Sequence, residues 1–506
     1  MHTNRNILIL YCLLLFLLFV GNVPLLDPDE PVYGETAKEM IAAGDWLSPR
    51  IYGDFWYDKP PLFYWLEALS FSVLGVSEFS ARLPSALAAL GTVLYVYYAA
   101  RRLLNERIAF AGALILASSL EFAVIARSAV TDMTLTAALT VALFSFLEQK
   151  YAAAYIACGF ALLAKGPIGF GFPALIVAIW LAAQRKFTWK PIMALKWYWG
   201  IPLACAVGLP WYLYMTAVHG SAFIDTFLGY HNLTRFAQPE HAGQDHWWLY
   251  VVVLAAGCFP WSGAVFAMTG RLRSLVRDPV HLYLAVWAGF IFLFFSASST
   301  QLFSYILPMF PPLAILAAVY LDSLSGQAVR PRLFMGCHLF FFLLTAGALA
   351  AAPLMPAGGP AVKYGLPILL LAAGAASAWA FYTKRFPAFY LMQGAVSLFL
   401  IASVWTLYAP AVREDFTSAH ISQKALASPL DGRPLYIDPF YRPAAAFYHD
   451  LYGLKMPDLE KGEPPIEGPA YVLVQKKIWK DWPAAEKALW RPLWDTKTAV
   501  LMEKSE

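Results

Sequence analysis

A polytopic α-helical membrane protein, followed by a small α/β domain at its C-terminal end, is the fold class this sequence predicts. Three observations carry it. Of the 506 residues, 59% are hydrophobic and only 14% are charged, against about 25% charged in ordinary soluble proteins. Apolar runs approaching or reaching the roughly 17–25 residues that cross a hydrocarbon core as helix recur between residues 7 and 409. After Pro410 charge becomes denser, and short strand-like runs appear at Pro434–Ile437 and Tyr471–Val474.

The spans come in order along the chain. The first is read at 7–24, behind Arg5, and the last at 388–409, for about thirteen in all. A cleaved signal peptide is the rival reading of the first run. Val23-Pro24-Leu25-Leu26 follows it rather than a small-residue cleavage site, so a retained span is expected. With the N-terminus in the cytoplasm, Arg101-Arg102, Arg185-Lys186 and Lys384-Arg385 fall in cytoplasmic loops, and the opposite loops hold few basic residues. The C-terminus then lies outside. Residues 1–410 are read as the membrane domain, with 25–80 as its first outer loop, and 411–506 as the outer domain. Within that loop Pro31–Ala43 and Pro60–Leu74 read as interfacial helices.

Composition excludes several functions. A formal charge of +4 is too small to argue for nucleic acid. The five cysteines all lie in apolar stretches without a CxxC pair, so neither a disulfide framework nor a cysteine zinc site is expected. No dinucleotide fold or phosphate-binding loop appears; Gly166-Pro-Ile-Gly-Phe-Gly opens an apolar span and reads as turn and packing.

The residues suited to chemistry gather at the outer ends of the spans, where ionisable groups must be solvated, paired or used. Asp27, Asp29 and Glu30 follow the first span; Asp29 or Glu30 equally suits the cap of a helix opened by Pro31. Lys59, held before Pro60 and Pro61, suits a lipid phosphate, or snorkels to an anionic headgroup. Asp132 starts a span, as a helix cap or as an acid of the site. Lys165, in Ala164-Lys165-Gly166-Pro167, sits at an outer turn. Arg235 can hold two phosphate oxygens, and Tyr305 can donate to the same group or sit in an interfacial belt. His231, His241 and His246 lack the spacing of a zinc motif. A metal site in the loop that carries them is left open.

Taken in order, Asp29-Glu30, Lys59-Pro60, Ala81-Arg82-Leu83-Pro84-Ser85-Ala86, Asp132, Ala164-Lys165-Gly166-Pro167, His231-Asn232-Leu233-Thr234-Arg235-Phe236 and Tyr305-Ile306-Leu307-Pro308 form a set. That set resembles the bacterial membrane glycosyltransferases of the aminoarabinose transferase and protein-mannosyltransferase superfamily, the GT-C class, over residues 5–410. One departure is Gln301, where the family often has lysine.

The resemblance implies a GT-C fold in the inner membrane with a periplasmic site, periplasmic interfacial helices and a periplasmic C-terminal domain. It implies a polyprenyl-phosphate sugar donor and a lipid A, glycan or protein acceptor. Asp29, with Glu30 beside it, and Asp132 take the catalytic positions; Lys59, Arg235 and Tyr305 take the donor phosphate; Lys165, His231 and Asp27 are candidates for substrate contact; and a divalent metal stays open, with Asp58 as its candidate ligand by likeness to some relatives. The alternatives are a lipid-glycan transporter or flippase, and a protein O-glycosyltransferase of the same superfamily.

Overall fold

A computed structural model describes residues 2–234, 246, 248–326, 331–351, 359–408, 417–428, 430–457 and 464–504. The chain forms two compact units: residues 1–20, 57–63 and 82–408, and residues 21–56, 64–81 and 409–506. The second unit therefore contains the expected C-terminal domain and also most of the expected first outer loop.

In chain order the helices are α1 (His2–Leu17), α2 (Asp29–Ala43), α3 (Leu62–Leu74), α4 (Glu78–Leu103), α5 (Glu106–Ser118), α6 (Leu120–Ile125), α7 (Asp132–Leu147), α8 (Tyr151–Lys165), α9 (Ile168–Ala183), α10 (Trp189–Ala194) and α11 (Trp197–Ile224). Further helices follow as far as Ala484–Lys487, and those used below are named by their ranges. Among the described residues seven helices are long and apolar enough to cross a membrane, and five shorter apolar ones accompany them. The chain is a multi-pass membrane protein.

Local chemistry sets several helix ends in the first unit. The Asn105 side chain accepts the Ile108 N–H and starts α5. Asp278 caps Pro279–Ser296, with proline at the first helical position. Two expected spans are broken. The one at 108–126 divides into α5 and α6 at Ser119, and the one at 247–268 into Leu249–Gly257 and Ser262–Thr269. The breaks meet, because Leu120 N–H donates to the Phe259 carbonyl at 3.0 Å. Trp261 Nε1 donates to Ser118 Oγ at 2.8 Å beside them. Backbone groups freed by a helix break in lipid need such partners.

Two buried arginines close the end of α1. Arg127 donates to the Leu15 and Leu18 carbonyls, both at 2.7 Å, and stacks on Trp405 with 4.4 Å to the ring centroid. Arg82 donates to the Val20 carbonyl at 2.8 Å. Cations there satisfy the orphan carbonyls and oppose the negative end of the helix dipole.

In the second unit α2 ends at Gly44, whose φ of +65° takes the left-handed conformation that suits glycine. It packs on the helix Arg442–His449. Lys38 Nζ donates to the carbonyls of Ala446 (3.1 Å) and Phe447 (3.2 Å) in that helix's last turn and pairs with Asp450 at 2.7 Å. Arg50–Ile51 (β1) and Asp54–Phe55 (β2) form a small antiparallel pair.

The remaining strands are β3 (Leu435–Ile437), β4 (Leu454–Lys455), β5 (Ala470–Gln475), β6 (Trp490–Asp495) and β7 (Ala499–Lys504), in the order β4-β3-β5-β7-β6. β3 is parallel to β4 and β5; β7 is antiparallel to β5 and β6. Tyr471 and Leu473 enter one apolar cluster with Ile421 and Ala445, while Ala470, Val472 and Val474 enter another with Trp482 and Trp490. The alternation is the two-residue period of a strand, and β5 is covered on both faces.

Candidate active site

In the first unit the hairpin of α7 and α8 builds the main cluster. The helices are 16 and 15 residues long. Matched antiparallel lengths bring the start of one beside the end of the other. Thr131 Oγ1 fastens the junction by donating to the Ala164 carbonyl at 2.9 Å. Asp132 then lies in the first turn of α7 and Lys165 in the last turn of α8, each where the helix dipole favours its charge. Gly166, with φ +80°, turns the chain away. Lys165 Nζ donates to Asp132 Oδ1 at 2.5 Å, and both side chains are nearly buried.

The Lys165 ammonium also lies over the ring of Tyr305, 4.4 Å from its centroid. Tyr305 belongs to a 3₁₀ segment, Phe303–Met309, and its ring meets Phe295 at 5.2 Å. Tyr250 secures the approach to that segment by donating to the Leu302 carbonyl at 3.0 Å. The structure therefore brings together Asp132, Lys165 and Tyr305. Gln301 is buried, and its amide donates to the Ser298 carbonyl at 3.2 Å.

Lys59 is also in the first unit. Its ammonium pairs with Asp58 at 2.7 Å, and both side chains are about 15% exposed. Asp58 thus serves as the counter-ion of Lys59. Among the described residues no group of three or more His, Cys, Asp or Glu could hold a metal ion. Arg235 and the His231 side chain lie outside the described residues.

Glu121 is a buried acid the sequence did not single out for the site. It sits in α6 just past the helix break, and neither carboxyl oxygen has a hydrogen-bond partner among the described residues. Asp132 is close enough to act on it electrostatically. Gly257 makes room for it: a Cβ there would lie 2.5 Å from Glu121 Oε2. An acid in the middle of an apolar span is the signal that could have found it.

The second unit holds the other predicted acids. Asp29 and Glu30 stand in the first turn of α2. Asp29 is exposed, whereas Glu30 is buried and its Oε2 accepts the Leu26 N–H at 2.7 Å. Asp27 Oδ2 accepts the Ser418 N–H at 2.7 Å; desolvation outweighs that bond and pushes Asp27 up to about 7. Burial also raises Glu35, against the opposing charge of Lys38 and a 2.9 Å hydrogen bond from the Tyr452 hydroxyl. Glu67, in α3, was not anticipated. It is fully buried, its oxygens lack hydrogen-bond partners among the described residues, and burial, then the Glu30 charge, hold it well above the ordinary carboxylate range.

Comparison with known proteins bears on this arrangement. The family described as dolichyl-phosphate-mannose-protein mannosyltransferase matches residues 58–218. The undecaprenyl phosphate-alpha-4-amino-4-deoxy-L-arabinose arabinosyl transferase of Edwardsiella ictaluri is 32% identical over 342 residues, which are 64% of this chain and 60% of that protein. The enzyme of the same name from Aeromonas salmonicida is 31% identical over 367 residues, 69% of this chain and 65% of that protein. The matched region thus spans less than two thirds of the length of these relatives. Among solved structures, ArnT from Cupriavidus metallidurans bound to undecaprenyl phosphate superposes with a TM-score of 0.77 at 21% identity, covering 98% of this chain and 97% of that one. In sequence this chain is thus similar to the aminoarabinose transferases over about two thirds of its length and to the protein-mannosyltransferase family over residues 58–218, and it shares the fold of the ArnT structure.

Proposed function

We propose that this protein is a glycosyltransferase of the bacterial inner membrane, moving a sugar from an undecaprenyl-phosphate-type carrier to a periplasmic acceptor such as lipid A. The observation that most supports this is the fixed ammonium of Lys165 between the Asp132 carboxylate and the Tyr305 ring. It is a preorganised cation at a helix end, with a phenol beside it, suited to an anionic lipid head. The relatives named for this transfer support the same chemistry.

The reaction is one displacement at the anomeric carbon. The acceptor oxygen forms the new bond while the bond to the carrier phosphate breaks, and its electron pair leaves on a phosphate oxygen. Configuration inverts. Lys59, Arg235 and Tyr305 offset the charge growing on that phosphate; one such preorganised donor is worth about 2.7–4 kcal/mol in a comparable case. Asp29 orients the acceptor and takes its proton where it is a hydroxyl. Asp132 holds the Lys165 ammonium in place as an ion pair, and Glu30 fixes the start of α2, which carries Asp29. Lys165, His231 and Asp27 are assigned to substrate contact, Lys165 through the anionic lipid head. The loops carrying these groups and the C-terminal unit are periplasmic, in keeping with basic residues on the alternate loops.

A detergent assay with radiolabelled undecaprenyl-phosphate sugar tests the reading. Asp29→Asn and Lys59→Ala should each lower transfer by at least about 100-fold with normal membrane insertion; wild-type rates in both would refute the assignment. One observation favours a transporter instead. Glu121 lies beside broken helices in the bundle, as coupling residues of carriers do. Movement of the lipid without labelled product in the same assay would decide for that reading.

A further inference from the structure

An apolar cavity in the bundle lies at the opposite end of the α7–α8 hairpin from Asp132 and Lys165. It measures about 260 Å³ and is lined by α7 through α11, among them Phe146, Val177, Leu181, Leu195 and Ile201. Tyr155 also lines it, but its hydroxyl is spent on the Leu195 carbonyl at 3.1 Å. Such a space admits part of one acyl chain and not a whole lipid, so any headgroup stays outside. From Asp132 to Phe146 the axis of α7 runs ~21 Å, which separates this cavity from the candidate active site.

The chain around these lining residues is strongly basic. Arg185 and Lys186 directly precede the lining residue Phe187, Lys190 lies two before Ile192, and Lys196 stands between Leu195 and Trp197. All four cations are exposed, and residues 184–199 contain no acid. Around them Phe187, Trp189, Trp197, Tyr198 and Trp199 are exposed aromatics of the kind that settle at a membrane surface. α10, between these groups, buries none of its residues. An apolar slot between membrane helices with a cationic aromatic rim suits a lipid whose head is negative.

We infer that this cavity is a binding site for an anionic phospholipid of the bilayer, with one acyl chain between α8, α9 and α11 and the phosphate on Arg185, Lys190 and Lys196. The site does not depend on the proposed transferase reaction. Phosphatidylglycerol is the probe, with phosphatidylcholine as the zwitterionic comparison.

The test is native mass spectrometry of the full-length protein exchanged into defined mixtures of the two lipids. Wild type should retain phosphatidylglycerol in preference to phosphatidylcholine. The triple substitution Arg185→Gln, Lys190→Gln and Lys196→Gln should lose on the order of 100-fold of that preference. Ala174→Trp with Ala178→Trp, which fills the slot, should lose retained lipid of both kinds. A matched pair in another basic loop, Lys384→Gln with Arg385→Gln, should leave the preference unchanged. All variants alter exposed or half-buried residues, and an unchanged melting temperature confirms folding. The inference is overturned by equal retention of both lipids in wild type, by a triple variant with wild-type preference, by loss of preference in the control pair, or by a polyprenyl phosphate held in the slot that phosphatidylglycerol does not displace.

Discussion

The two compact units treat buried charge in opposite ways. In the helical bundle most buried ions have a named counterpart. Lys165 has Asp132, Lys59 has Asp58, and Arg82 and Arg127 have the carbonyls at the end of α1. In the second unit acids accumulate instead, and burial raises Asp27, Glu35, Glu67 and Asp438 alike. The difference follows from the available remedies. A lysine or arginine within lipid stays costly unless a partner compensates it. A carboxyl group near water can avoid the same cost by keeping its proton. The bundle therefore fixes charges in place, and the second unit carries groups whose charge responds to pH.

The strongest attack on this contrast is to unpair the bundle. Asp132→Asn leaves Lys165 without its carboxylate, and Lys165→Met does the converse; removing one partner of a buried pair costs about 3–5 kcal/mol. The double variant should recover much of that in a detergent melt yet remain inactive in transfer. Recovery of both stability and transfer would reduce the pair to scaffold. Next in size is Leu473→Ala at the centre of β5, fully buried, expected to cost about 2–5 kcal/mol. The same change at Leu343, 61% exposed on the helix Arg332–Ala351, should cost under ~0.5 kcal/mol. Equal effects would mean that lipid-facing and core leucines in this protein are not distinguished by packing.

The pH response of the second unit comes next. Asp27 rises from 3.8 to about 7 on folding, so the folded unit keeps a proton that the unfolded chain releases. A raised carboxyl pKa gives stability that is complete below about pH 4 and is lost as pH rises through 7. Glu35 acts in the same direction. The melting temperature of the whole protein should therefore fall by roughly 3–5 °C between pH 5 and pH 8. Asp27→Asn with Glu35→Gln should flatten that slope while leaving the Asp132–Lys165 cycle unchanged. A slope identical to wild type would assign the pH response to other groups.

Much of this was legible from local patterns. The helix expected from Pro31 to Ala43 runs from Asp29, two residues earlier, because its acids sit within the first turn. The runs at Pro434–Ile437 and Tyr471–Val474 are β3 and part of β5. The residues Asp132, Lys165 and Tyr305 were each recognisable, but their meeting was not, since a contact across 33 residues depends on the antiparallel fit of α7 and α8. Arg82 and Arg127 end up buried at the end of α1, a consequence of packing between segments 62 and 112 residues apart. The association of α2 with Arg442–His449 is longer in range still, and no local periodicity encodes it. The breaks at Ser119 and near Pro260 hid inside apolar runs because hydropathy does not register how a backbone is hydrogen-bonded.

The finest comparison within the bundle concerns Glu121, the buried acid that departs from the pairing pattern. Gly257 and Gly171 both lie within helices, Leu249–Gly257 and α9, so an added methyl group should favour either helix by about 0.5–1 kcal/mol on backbone grounds. Their surroundings differ. At Gly171 a Cβ meets nothing within 4 Å, whereas at Gly257 it would lie 2.5 Å from Glu121 Oε2 and 2.8 Å from Glu121 Cβ. Gly171→Ala should therefore be neutral to slightly stabilising. Gly257→Ala must displace Glu121 and should cost about 1–3 kcal/mol. Because Asp132 lies within electrostatic reach of Glu121, the displaced acid should also lower transfer in Gly257→Ala but not in Gly171→Ala. If Gly257→Ala lowers stability and leaves transfer intact, Glu121 belongs to the scaffold; if it lowers transfer at unchanged stability, Glu121 belongs with Asp132 and Lys165.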